Sequence, residues 1–282
     1  MEAPRAPRPI WDRLLTIPRP VVFLIIVIAV VVPFLRPLGL KVEPSETTRQ
    51  LYTFVDGLRP GSVVVIAFDY APASMAELQP MALALTRHCF AKDLKVVALG
   101  FDPAGIPLAD VALAKAAQEY DKKLYEDYVN LGYKPAMGPA VQQMGVDIHK
   151  TYAQDARKTP IGDIPLMRNV RNYDDVAIII DLCSSATPQV WIQFAHTGFD
   201  ATISAGVTAV MAVDMYQYIQ AGQLVGLLGG LRGAAEYEKL VGRPEFGTLG
   251  MDSQALSHSA IILLVLLANL AYFVKRRRGE VR

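Results

Sequence analysis

The sequence predicts an α/β fold: a Rossmann-like parallel sheet with helices on both faces, flanked by one N-terminal and one C-terminal transmembrane helix. Three observations carry this reading. Short uncharged runs rich in Val and Ile, bounded by turn residues, alternate with longer amphipathic stretches, the pattern of strand–helix–strand units. Two apolar runs near the chain ends carry no charge over nearly the width of a bilayer core. Basic residues flank those two runs, whereas the long segment between them is acidic.

The N-terminal segment holds Arg5, Arg8, Arg13 and Arg19 against Glu2 and Asp12, and residues 1–19 are read as a basic cytoplasmic end. From Pro20 to Leu35 no charge occurs, which with its flanks places a first membrane helix at 20–38. A cleaved signal peptide requires a small-x-small site. Pro33-Phe-Leu-Arg-Pro-Leu-Gly-Leu40 offers none, so a retained anchor is expected. Ser259–Val274 is the second uncharged run, giving a membrane helix at 257–274. The tail 275–282 carries Lys275, Arg276, Arg277, Arg278 and Arg282 against Glu280. The positive-inside rule then puts both ends in the cytoplasm and residues 39–256 outside it. Arg36, Lys41 and Arg49 weaken the asymmetry at the first span, but no Lys or Arg lies between Pro244 and His258.

Composition agrees. The 282 residues are 52% hydrophobic, above the 45–50% or so of soluble domains, and the two runs hold the excess. Residues 37–256 contain 18 Lys and Arg against 24 Asp and Glu, a net of −6 hidden beneath an overall charge of +1. An acidic domain is a poor partner for phosphate backbones, so nucleic acid is excluded. Cys89 and Cys183 are the two cysteines. They make no zinc-type spacing, and whether they pair is left open.

Within the domain, Pro44–Gly57 reads as a short helix with Ser45 as N-cap and Leu51, Phe54 and Val55 as its apolar face. Val63–Phe68 is a strand buried on both faces. Ser74-Met-Ala-Glu77 matches a capping box opening a helix with a Leu78, Met81, Leu85, Cys89, Phe90 stripe, with Pro80 inside it. Leu94–Gly100 is a second strand, followed by a long helix from Leu108 to Asn130. Residues 133–173, rich in proline, suggest one helix near 139–153 and then loop. Asp175–Leu182 is a third strand, 188–199 a helix, and Gly206–Val213 a fourth strand. No internal repeat and no low-complexity linker divides the domain.

In such sheets ligands sit beyond the carboxyl ends of the strands. The predicted ends carry Asp69 and Tyr70, Asp102, the Cys183-Ser184 pair, and Asp214. Asp69, Tyr70, Asp102 and Asp214 are therefore the candidates for a ligand crevice, with a hard-cation site on the three acids a variant of it. Cys183 or Ser184 with His196 as base would make a hydrolase, but there is no Gly-x-Ser-x-Gly elbow. Neither a phosphate-binding loop nor a dinucleotide fingerprint is present, and His88, His149, His196 and His258 are scattered. No cofactor and no dedicated metal site are expected.

Gly222, Gly226, Gly230 and Ala234 recur every four residues and would line one side of a helix. Several glycines in a helix, at about 1 kcal/mol each, call for a compensating close contact. The leading expectation is a non-enzymatic, double-anchored interaction subunit or scaffold. Its partners would be the membrane and other membrane-protein subunits or a second copy, met through this helix. A small-ligand-binding or sensing domain using the crevice is the alternative, and the Cys/Ser hydrolase the third.

Overall fold

The computed structural model describes residues 16–39 and 43–279. The expected basic residues Arg5, Arg8, Arg13 and Arg282 lie outside them. Contacts divide the chain into two compact units, Lys41–Thr248 and the joined segments Met1–Leu40 and Leu249–Arg282.

The larger unit is built on a six-stranded, wholly parallel sheet: β1 (Val63–Asp69), β2 (Lys95–Gly100), β3 (Tyr128–Tyr133), β4 (Ile178–Cys183), β5 (Ile203–Val207) and β6 (Leu227–Gly229). Their spatial order is β3-β2-β1-β4-β5-β6, a doubly wound sheet in which the winding reverses between β1 and β4. The central strands β1 and β4 are buried along almost their whole length, as their Val- and Ile-rich sequences require. Helices cover both faces. On one, Val64, Ile66, Phe68 and Tyr70 pack with Leu78, Met81, Leu85, Cys89 and Phe90. On the other, Val65, Val97, Ile179, Cys183 and Ile203 pack with Tyr152, Tyr173 and Trp191. Cys89 and Cys183 thus belong to opposite faces and are free.

In chain order the helices of this unit are α2 (Glu46–Asp56), α3 (Met75–Ala91), α4 (Gly105–Glu119), α5 (Met137–Val146) and α6 (Ile148–Thr151). A helical stretch then runs from α7 (Thr187–Trp191) through a π-helical turn at Ile192–His196 into α8 (Thr197–Phe199). α9 (Ala209–Gln220) and α10 (Gly230–Leu240) follow. α1 (Arg19–Leu35) precedes them, and α11 (Phe246–Arg277) ends the described chain.

Several expectations are corrected. The long helix stops at Glu119, and Tyr128–Tyr133 is the edge strand β3; Asp121 and Tyr125 take positive φ and break the helical run. The fourth predicted strand sits earlier, at Ile203–Val207, and most of Gly206–Val213 is the start of α9. Val210 and Val213 stand three residues apart, a helical rather than an alternating spacing. The glycine stripe is not a helix face: Gly222 and Gly230 have φ of +71° and +59°, and the chain between them is loop and β6. Gly226 instead lies against α2, where an added Cβ would stand 2.6 Å from the Leu51 nitrogen. Ser45 and Ser74 occupy N-cap positions without capping through their side chains. Ser45 bonds Glu236 through Oγ at 2.6 Å, and Glu77 accepts the Ala209 N–H at 2.8 Å.

The smaller unit contains α1 and most of α11. α11 has 32 residues and a mean hydropathy of 1.9 in its most apolar stretch, long and apolar enough to cross a membrane. α1 is apolar but shorter, at 17 residues. Ser253 Oγ donates to the Val30 carbonyl at 2.9 Å, and Asp252 accepts the Leu38 and Gly39 N–H groups at 2.9 and 3.0 Å.

Candidate functional site

The site grows out of the strand register. β1 and β4 pair in parallel with Ala67 beside Asp181 and Asp69 beside Cys183. Side chains alternate along a strand, so Ala67, Asp69, Asp181 and Cys183 all project from one face. Asp69 and Asp181 become diagonal neighbours on the two strands that flank the winding reversal. Asp69 is 3% exposed and Asp181 is fully buried. Ala67 opposite Asp181 leaves room that a larger side chain would fill.

Asp69 Oδ1 accepts N–H groups from Phe101 and Asp102 in the loop after β2. Its Oδ2 and both oxygens of Asp181 make no hydrogen bond of normal geometry, although Asp69, Thr187 and Cys183 all stand within reach of Asp181. The Tyr152 hydroxyl, Thr187 Oγ1, Gln189 Oε1 and Trp191 Nε1 are also buried without partners. Tyr152 feels the Asp69 charge, and Thr187 stands near Asp181. Trp191 closes the aromatic side of the site, edge-on to Phe101 and Tyr173 at ring distances of 5.8 and 6.5 Å. Native interiors leave few buried polar groups unpaired, so the meeting of Asp69, Asp181, Tyr152 and Thr187 requires an explanation. The π-helical turn directly after Trp191 is a second irregularity at the same place, of a kind frequent at functional sites.

Burial governs the electrostatics. Desolvation pushes Asp69 up to about 6 despite its two backbone N–H bonds, with the nearby Asp102 charge adding to the rise. Asp181 is driven further above the carboxylate range, first by burial and then by Asp69. The two carboxyl groups stand close enough to share a proton, yet no hydrogen bond of normal geometry joins them. Among the described residues no Lys, Arg or His forms an ion pair with Asp69, Asp102 or Asp181. Cys183 is held well above its ordinary pKa by burial and by Asp181, and its thiol donates to the Ser185 carbonyl at 3.3 Å.

The sequence candidates separate accordingly. Asp69 and Asp102 do meet. Tyr70 points to the opposite face, where its hydroxyl donates to Gln79 at 2.6 Å. Asp214 is on the exposed side of α9, not at a strand end. Ser184 is exposed in the loop after β4. His196 Nδ1 pairs with the Ala201 carbonyl at 3.0 Å, and among the described residues no hydrogen bond joins it to Cys183 or Ser184. Asp181 was missed; its signal was a single acid inside the otherwise apolar run Ile178-Ile-Ile-Asp-Leu-Cys183. Tyr152, Thr187 and Trp191 gave no signal, because only tertiary packing brings them here.

Two open clefts lie elsewhere. One of about 520 Å³ is lined by Gly61, Lys95, Asn169 and Asp175 at the amino end of the sheet. The other, about 570 Å³, runs along α2 past Glu46, Arg49 and Phe54. Neither reaches the acid pair, which is closed over.

Fold and site together define a doubly wound α/β protein with a buried acid pair at its switch point and a helix able to cross a membrane. No protein-family model, curated protein or solved structure matches the chain.

Proposed function

We propose that this chain is a membrane-tethered small-ligand-binding or sensing protein whose ligand engages the Asp69–Asp181 pair. The observation that carries the reading is the set of unpartnered buried polar atoms at the switch point, where doubly wound sheets bind their ligands. The exposed loop Ser184–Ala186 lies directly after Cys183, at the carboxyl end of β4 where such ligands enter. The two apolar helices would form a two-pass anchor, with the α/β unit outside the cytoplasm. Arg19 and Lys275–Arg278 at their far ends support that orientation.

The test is a thermal-shift screen of metabolites on the full chain in mild detergent. A compound at a hundred times its Kd should stabilise by about 2.7 kcal/mol, and Asp181→Asn should erase the shift. Absence of any shift, or a shift that survives in both Asp69→Asn and Asp181→Asn, refutes the site. For topology, a cysteine introduced at Ala186 should react with an impermeant maleimide on intact cells and one at Arg278 should not.

A second reading, an interaction subunit of a membrane assembly, is favoured by α9. Val210 and Val213 on its outer face are 85% and 73% exposed, an unusual pair of apolar side chains on one helix. Native purification and mass spectrometry would return stoichiometric companions, lost in Val210→Asp, if this reading holds.

A further inference from the structure

We propose that Asp69 and Asp181 bind a hard divalent cation of the Mg²⁺ or Ca²⁺ class, held between the unpartnered oxygens of the two carboxylates at the β1–β4 seam. The inference rests on the crevice being a ligand site and names what that ligand is.

The argument begins with charge. Two carboxyl groups converge in the interior, and a third acid, Asp102, stands half-buried beside them. Among the described residues no cationic side chain answers them. A buried charge without a partner costs several kcal/mol, so the pair either holds protons or binds a counter-charge from outside the chain that displaces them. The donor set then fixes its chemistry. Three unpartnered carboxylate oxygens, the Tyr152 hydroxyl and Thr187 Oγ1 are all oxygen donors, which suit hard cations. Soft metals are disfavoured, since the neighbouring Cys183 thiol is committed to the Ser185 carbonyl and His196 to Ala201.

Among the described residues no group of three or more His, Cys, Asp or Glu side chains is placed to hold a metal ion, so Asp102 does not join the pair as a ligand. The cation would therefore rest on two carboxylates alone and be completed by water or neutral oxygens, the usual habit of Mg²⁺. Tyr152 is the independent pointer: 3% exposed, with its hydroxyl unpartnered and near Asp69. A hydroxyl in that position is a neutral oxygen for the cation or for a water on it. The half-buried Asp102 at the rim would draw cations toward the pair.

The experiment is a Mn²⁺ titration of the chelator-stripped full chain in detergent, read by electron paramagnetic resonance. One Mn²⁺ per chain is expected to lose its free-ion signal and to be displaced by Mg²⁺ or Ca²⁺. Asp181→Asn and Asp69→Asn should each abolish binding while the proteins melt cooperatively. Should those variants not fold, Tyr152→Phe decides instead: the affinity is expected to fall about tenfold, as when a supporting ligand is lost. Absence of Mn²⁺ binding into the millimolar range overturns the proposal. So does undiminished binding in Asp181→Asn, or in Tyr152→Phe where the acid variants do not fold. The metabolite screen, run with chelator present, keeps the two readings apart. An organic ligand found there, without Mn²⁺ binding, sinks the cation and leaves the crevice. Mn²⁺ binding with no organic ligand leaves the crevice a cation site alone.

Discussion

Replacing Asp69 with asparagine should make the protein less sensitive to rising pH, and the size of the effect follows from the burial of that carboxyl. In the unfolded chain Asp69 ionises near 3.8; in the folded chain burial raises this to about 6. Between those values the native state holds a proton that the unfolded state has released, so stability falls as pH rises. The fall is fully developed above the folded value, and at about 1.4 kcal/mol for each pH unit it amounts to about 3 kcal/mol. The amide of Asp69→Asn keeps an oxygen for the Phe101 and Asp102 N–H groups but cannot ionise. The variant should therefore gain about 3 kcal/mol on the wild type between pH 4 and pH 7. Asp181, Asp102, Tyr152 and Cys183 surround the group, and of these Asp181, its own pKa raised, is the one that adds to the slope. Urea unfolding with chelator present, followed by the fluorescence of buried Trp191, reads the difference directly. Parallel stability-versus-pH curves for wild type and variant would refute the argument, because an ordinary exposed aspartate predicts that result.

Four further outcomes are expected. Gly226→Ala should destabilise by more than about 2 kcal/mol through overpacking, since its Cβ meets the Leu51 nitrogen at 2.6 Å and the Thr47 carbonyl oxygen at 2.7 Å. Gly222→Ala, in open space at positive φ, should cost only about 1 kcal/mol; thermal melts of the two variants give the contrast. Glu238→Ala should cost about 3 kcal/mol by orphaning the Glu245, Gly247 and Thr248 N–H groups, with Glu238→Gln recovering part of it in the same melts. Arg87→Met should lose about 3 kcal/mol with little salt dependence, because the buried guanidinium bonds Glu119 and Glu245 at 2.6–2.8 Å. Cys89, pushed up to about 12, and Cys183, also raised, should both resist thiol reagents until denaturant is added, as mass spectrometry of alkylated protein will show.

The parallel sheet was legible wherever a strand is buried on both faces. Val63–Phe68, Leu94–Gly100 and Asp175–Leu182 stand out because such strands are continuously apolar. Edge strands lack that mark: Tyr128-Val-Asn-Leu-Gly-Tyr133 mixes polar and apolar residues, and the charged segment before it passes for a helix surface. Ile203-Ser-Ala-Gly-Val207 is built of small residues, so the valines beyond it misplaced the strand. The glycine period was real in the sequence, but its cause is two turns and one close approach to α2, which no periodicity analysis separates from a helix stripe. At the site, half of the acid pair was readable from a strand end. Asp181 lay inside a strand and counted as part of it.

The acid pair draws one member from each half of the doubly wound sheet. Asp69 belongs to the half β3-β2-β1 and Asp181 to β4-β5-β6, and in the sequence they lie more than a hundred residues apart. Neither half alone can assemble the site, so it comes into being only when the β1–β4 seam has closed. An occupant would act as a clasp between the two halves, resisting their separation along the seam. A protein furnished with such a clasp would report on its occupant through its own rigidity, stiff when loaded and loose along one line when empty.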